Sequence, residues 1–269
     1  MLLKAKRSQI LFVIIIVLAV FVYSAAGLKP KADSLALDFA ATKSANSFTE
    51  AQQKDVESII YNYLMENPEV IFDAVEKYRE NEEKILAEQF LKKFGSYKHA
   101  LINGPYSPSI GPDDADIVII EFFDYNCGYC KKAIVDILAL LKEDKKIKVV
   151  FKEMPVLSLA SITAAEWSLA ADKQGKYWEY HQKLMLHKGV KDLRTLETLA
   201  KTVGLDVEQL KKDAKDPVLK SAIVRNLEVS KDLGIRGTPA FIIEDFLAKG
   251  YMGTDAMRAK IRQIRGENG

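Results

Sequence analysis

The sequence predicts an α/β fold that carries a helical insertion and an N-terminal helical extension. Three observations lead there. Ile117–Ile120 is a β-branched run of the kind a buried parallel strand uses, and it feeds directly into Glu121-Phe122-Phe123-Asp124-Tyr125-Asn126-Cys127-Gly128-Tyr129-Cys130. A second β-branched strand, Ile147–Phe151, follows one helix later, and strand–helix–strand order implies a right-handed parallel crossover. A third apolar strand begins at Pro239, beyond a block of helical pattern over residues 158–233 that is too long for a connection.

The chain has 269 residues, enough for one sizeable domain and an appendage. Its 39 basic residues are nearly balanced by 37 acidic ones, which argues against a nucleic-acid surface. Residues 1–28 read as a signal peptide or signal anchor. Lys4, Lys6 and Arg7 precede the apolar run Ile10–Tyr23, and Ser24-Ala25-Ala26 offers small residues for cleavage. The uncleaved alternative rests on a low-polarity stretch that reaches Leu28, near the minimum bilayer span. Either way the positive flank stays inside and the remainder is exported. Residues 29–48 are small and polar, as in a flexible tether.

Residues 49–100 form an N-terminal helical region. Thr49 and Glu50 suit a helix start, and Val56, Ile59, Ile60, Tyr63 and Leu64 share one face. Asn67-Pro68 punctuates the pattern, with Pro68 placed as the first residue of a second helix carrying Ile71, Phe72, Val75 and Tyr78. Its plain reading is a helical hairpin packed on the main domain. The sharper one is a homo-oligomerisation element over residues 49–94, because charged helices with narrow apolar stripes pair with copies of themselves.

Residues 101–269 form the main domain. Gly104-Pro105 and Gly111-Pro112 are turn chemistry leading into the first strand. After the cysteines, Ile134, Val135, Ile137, Leu138 and Leu141 recur at helical spacing. In the helical block, the aromatic residues read as core, and His181 and His187 as surface or packing residues. Near the end, Gly250–Gly253 is a turn and Asp255–Ile264 a closing helix with Met257, Ile261 and Ile264 inward.

The chemistry centres on the two cysteines. A Cys-x-x-Cys at a helix N-terminus directly after a strand is the thioredoxin-like redox arrangement. Thiol–disulfide exchange is carried by the thiolate, and free N–H groups and the helix dipole stabilise one at that position. Cys127 is therefore expected to be the exposed, low-pKa nucleophile and Cys130 the buried resolving partner. Gly128 adds no charge, and Tyr129 puts a neutral ring between the cysteines, which tunes the pair towards weaker oxidising power.

A zinc half-site and a structural disulfide are the plainer readings. The chain has no other cysteine, and His99, His181 and His187 show no paired-ligand spacing. A clip across two residues at a helix start is strained and reducible. We expect no metal and no dissociable cofactor. In an oxidising compartment, a chain with only this pair uses it for chemistry rather than for stapling.

Phe-Phe-Asp-Tyr-x-Cys-Gly-Tyr-Cys-Lys with a downstream Gly-Thr-Pro-Ala-Phe, separated by a helical insertion, resembles the DsbA family of bacterial periplasmic thiol–disulfide oxidoreductases over roughly residues 115–265. The resemblance implies a thioredoxin fold with an inserted helical domain, and disulfide exchange with exported cysteine-bearing proteins alongside a membrane redox partner. Cys127 and Cys130 fall on the family's redox pair and Pro239 on its cis proline, where the Thr238 backbone meets an incoming peptide. Glu121 falls on a buried acidic position that assists proton movement; its plain alternative is an edge or surface carboxylate.

Strong oxidases of the family carry Pro-His between the cysteines and often valine before the cis proline. Gly-Tyr and Thr238 here resemble the dimeric disulfide isomerases, and residues 49–94 resemble the N-terminal region of the suppressor-of-copper-sensitivity C proteins. An isomerase or reductase role is thus the alternative to disulfide formation. A chaperone or Cu(I)-binding protein is the reading outside enzymes.

Overall fold

The structure, a computed structural model, describes residues 48–266. The export segment expected at residues 1–28 and the tether expected at 29–48, Phe48 apart, lie outside the described residues. Among the described residues no helix is long and apolar enough to cross a membrane.

The chain divides into two units, one up to Val75 and one from Glu76 onward. The first holds helix α1, Glu50–Glu66, and the opening turns of α2, Glu69–Asn103. Helix α1 starts at a capping box: Gln52 N–H donates to Thr49 Oγ1 at 3.3 Å, and Thr49 N–H donates back to Gln52 Oε1 at 2.8 Å. Pro68 stands just before α2 rather than inside it. Val56, Ile59, Ile60 and Tyr63 form an exposed apolar stripe on α1, which has no buried residue, and Ile71 and Phe72 of α2 are exposed as well.

The second unit is built on a five-stranded sheet in the order β1-β3-β2-β4-β5. Strands β2 (Ile117–Phe123) and β3 (Ile147–Glu153) run parallel with Glu121 opposite Phe151. Helix α3, Gly128–Glu143, makes the crossover between them. Strand β4 (Ala240–Ile243) pairs antiparallel with β2 and turns into β5 (Phe246–Lys249). Two strands have no counterpart in the sequence reading. One is β5; the other is β1, Ser109–Ile110, two residues between turns that dock antiparallel on β3. Two residues are too few for any periodicity to register.

Both faces of β2 and β3 are covered, so their side chains are buried almost throughout, Glu121, Lys152 and Glu153 included. On one face Ile120, Phe122, Val150 and Ile242 pack with Phe90, Phe94 and Leu101 of α2. On the other, Ile117, Ile119, Phe123, Val149 and Phe151 pack with Ile134 and Ile137 of α3 and with the helical insertion. That insertion runs between β3 and β4 as α4 (Leu159–Asp172), α5 (Tyr177–Leu186), α6 (Leu193–Thr202), α7 (Val207–Asp213) and α8 (Pro217–Asp232). Helix α9, Thr254–Arg265, closes the chain with Met257 and Ile261 buried. Ile264, expected inward, shares the face of those two residues but is exposed, because it lies in the last turn of the helix. Val135 of α3 is likewise exposed.

Phe94 is 1% exposed and stacks on Phe90 at 5.3 Å, joining α2 to the sheet. Phe94→Ala is expected to cost about 3–5 kcal/mol of unfolding free energy, seen as a lower urea midpoint at unchanged slope. Val135→Ala, on the exposed face, should stay within about 0.5 kcal/mol of the parent.

Candidate active site

Cys127 is the N-cap of α3, with extended backbone at φ −74° and ψ 122°. Its sulfur takes the place that a serine or aspartate oxygen usually fills and accepts the Cys130 N–H at 3.3 Å. The loop before β4 brings a second partner. The Thr238–Pro239 peptide is cis, and the Thr238 carbonyl accepts the Cys127 thiol at 3.2 Å. These contacts explain a departure from expectation. Cys127 is only 7% exposed, because the Thr238 loop roofs the sulfur that the motif alone suggests is open.

The two sulfurs differ sharply. Hydrogen bonding from the Cys130 thiol, with smaller contributions from the Thr238 side chain and from the Cys130 and Tyr129 backbone N–H groups, pulls the Cys127 pKa down to about 5 against the opposing effect of burial. Burial pushes the Cys130 thiol far up, and its hydrogen bond to Cys127 and the Glu121 charge add to that. One sulfur is held as thiolate at neutral pH and the other as thiol.

Beneath the pair lies Glu121, in the middle of β2 between Phe151 of β3 and Phe241 of β4. It is completely buried, and neither carboxylate oxygen has a hydrogen-bond partner among the described residues. Burial, with a smaller contribution from the Cys127 charge, raises its pKa to about 8. The edge-carboxylate alternative is therefore excluded by its position. Gly128 opens the first turn with no atom within 4 Å of where a side chain would begin, and Tyr129 is 58% exposed, with its ring 5.7 Å from that of Tyr251.

Two groups of residues went unassigned in the sequence. Asp124 is buried, and its carboxylate accepts the Asn126 N–H at 2.7 Å, the Ser161 hydroxyl at 2.7 Å, and the Val156 and Leu157 N–H groups at 2.9 and 3.0 Å. It ties the cysteine turn to the loop that enters the helical insertion. An aspartate between an apolar strand and a helix cap is a recognisable turn former, and that was the available signal. The second group joins Tyr125, Ser168, His181, Tyr177 and Glu153. Tyr125 Oη lies 2.9 Å from His181 Nδ1, and the Tyr177 hydroxyl donates to Glu153 Oε1 at 3.0 Å. His181, read as a surface or packing residue, is fully buried in this network, and burial lowers its pKa to about 3 so that it stays neutral. Nothing in the local sequence marks residues 24 to 56 positions apart as neighbours.

The pKa values set two expectations of opposite sign. Cys127 is depressed, so its contribution to the stability of the reduced protein is complete above the ordinary thiol range and is lost as pH falls through about 5. Iodoacetamide alkylation of reduced protein should accordingly be half-maximal near pH 5. Glu121 is raised, so stability is highest below its ordinary value of 4.5 and declines as pH climbs to about 8. The advantage of Glu121→Gln over the parent should grow across that window to several kcal/mol, at most about 5, in urea titrations.

Comparisons with known proteins agree with this geometry. The DSBA-like thioredoxin domain family matches residues 118–262, more than half of the chain. The copper resistance protein ScsC N-terminal domain matches residues 52–84. A thioredoxin-like oxidoreductase from Silicibacter pomeroyi is 34% identical and superposes with a TM-score of 0.61, covering 63% of this chain and 98% of its own. Proteus mirabilis ScsC in a transitional conformation is 28% identical with a TM-score of 0.60, covering 83% of this chain and all of its own. Disulfide bond formation protein D of Bacillus subtilis is 26% identical over 176 residues, 60% of this chain and 78% of that protein. The chain also matches a Na(+)/H(+) antiporter of Salinispora arenicola at 27% identity over 155 residues, 56% of this chain, but spans only 24% of that protein's length. With a thioredoxin-like sheet, an inserted helical block and a Cys-x-x-Cys capped under a cis proline, the chain belongs to the DSBA-like thioredoxin domain family of thiol–disulfide oxidoreductases.

Proposed function

We propose that this protein exchanges disulfides with exported, cysteine-bearing proteins in the periplasm, and that its Cys127–Cys130 pair works chiefly as a disulfide donor. The observation that carries the reading is the contrast between a sulfur held near pKa 5 and a neighbour held protonated. A stabilised thiolate favours the reduced form of the pair, which makes its disulfide oxidising.

The steps follow from the geometry. A substrate thiolate attacks Cys127 Sγ, and the Cys127–Cys130 bond breaks with its electron pair leaving on Cys130. Cys130 then takes up a proton, which buried Glu121, whose charge acts on the Cys130 thiol, is able to supply. A second substrate thiolate attacks the substrate sulfur of the mixed disulfide and expels Cys127 as a thiolate. The substrate is oxidised by two electrons and the pair is reduced. A membrane redox partner that accepts those electrons completes the cycle. The Thr238 backbone, already beside Cys127, is placed to hold an extended peptide next to the sulfur.

A second reading has its own support. The ScsC-type match at residues 52–84 and the exposed apolar stripe of α1 favour a homo-oligomer that works as an isomerase or reductase. There, reduced Cys127 attacks a substrate disulfide, and the oligomer gathers several pairs around one client.

Cys127→Ala is expected to abolish turnover of a reduced, unfolded dithiol substrate. Cys130→Ala should instead accumulate mixed disulfides, visible as a higher-mass band that reducing agent collapses. A parent protein that leaves the dithiol unoxidised, yet holds unfolded clients as well as Cys127→Ala does, would reject the enzymatic reading in favour of a chaperone.

A further inference from the structure

The face of the sheet turned away from the cysteines carries a feature that disulfide exchange does not use. Along β3 the side chains alternate: Phe151 and Glu153 join the face with α3, whereas Val150 and Lys152 point towards α2 and α8. There, α2 with the loop that follows it, α8 and Lys152 of β3 line a half-open cavity of about 570 Å³. That is a ligand-sized space. Its walls include Tyr97, Leu101, Tyr106, Lys152, Ala222 and Arg225.

Lys152 is the informative residue. It is 2% exposed, its one hydrogen bond goes to the Ser107 hydroxyl, and it makes no ion pair among the described residues. Burial, with a smaller contribution from the Arg225 charge, lowers its pKa to about 8, with no carboxylate acting the other way. Asp232, at the end of α8, accepts the hydroxyl of the wall residue Tyr97 at 2.7 Å, and among the described residues no carboxylate pairs with Lys152 or Arg225. Two cations thus address one cavity with no ion pair to either among the described residues, and a buried, unpaired ammonium is costly.

The loop that closes the cavity is itself held in an unusual conformation. Tyr106 has φ +60°, rare for a bulky residue and characteristic of ligand sites. It follows Gly104, where a Cβ would lie 2.3 Å from the Ala100 carbonyl oxygen, so the turn that sets the tyrosine requires glycine.

We propose that this cavity binds a small organic anion, a carboxylate with an apolar body. Its head is held by Lys152 and Arg225, and its body lies against Leu101, Ala222 and the two tyrosines. The anion supplies the charge that the fold withholds from Lys152. A carboxylate suits a lysine and an arginine converging on one pocket, and the apolar walls select against a bare inorganic ion.

The test is an amide NMR titration of the full chain with benzoate and, in parallel, its neutral isostere benzamide. Saturable shifts confined to residues 100–107 and 218–229, with benzamide at least roughly tenfold weaker, are expected. Arg225→Gln, at an exposed position, should weaken benzoate by roughly tenfold, and Lys152→Met should abolish the shifts. If Lys152→Met does not fold, Arg225→Gln alone decides. Equal binding of the two probes, no saturable shifts at those residues, or parental affinity in Arg225→Gln would overturn the proposal.

Discussion

The sulfur of Cys127 occupies the N-cap of α3, and the rest of the site is arranged around that one substitution of sulfur for oxygen. A helix start leaves N–H groups without partners, and a side-chain acceptor normally satisfies one of them. Here the acceptor is a thiolate, so capping the helix and activating the nucleophile are the same interaction. The sulfur reaches the N–H only if the turn before it is fixed, which is the work of Asp124 and its four hydrogen bonds. The turn in turn depends on β2 ending where it does, pinned between β3 and β4.

Burial then divides the chemistry among neighbours. Cys130, one turn along, gains nothing from the helix end and is pushed towards the neutral thiol by its apolar surroundings. Glu121 sits in the same dry layer without a hydrogen-bond partner, a costly placement that a sheet made only for stability would not retain. Its charge opposes thiolate formation at Cys130, and the Cys127 thiolate opposes its own ionisation. The three groups therefore share protons as one unit, and a change of redox state at the sulfurs is felt at the carboxyl.

Much of this was legible in the chain because its signals are local. Ile117–Ile120, the Cys-x-x-Cys spacing and the apolar period of α3 lie within about 25 consecutive residues, and Pro239 at the head of β4 is marked by its missing N–H. Features made by contact across the fold were not legible. Thr238 roofs Cys127 from 111 positions away, which turned an expected exposed nucleophile into a nearly buried one. The Tyr125–His181–Glu153 network needs the turn after β2, β3 and α5 together before any of its members has a partner. Strand β1 escaped for a different reason: its two residues are defined wholly by their pairing with β3.

The central claim is that capping by Cys127 stabilises the reduced pair enough to make its disulfide a donor. Equilibrating the protein with glutathione buffers and quantifying the two redox forms measures this directly. A potential well above that of thioredoxin, between about −120 and −250 mV, is the predicted result. A value at or below about −270 mV would contradict it, because the thiolate would then confer no advantage on the reduced state and the pair would act as a reductant.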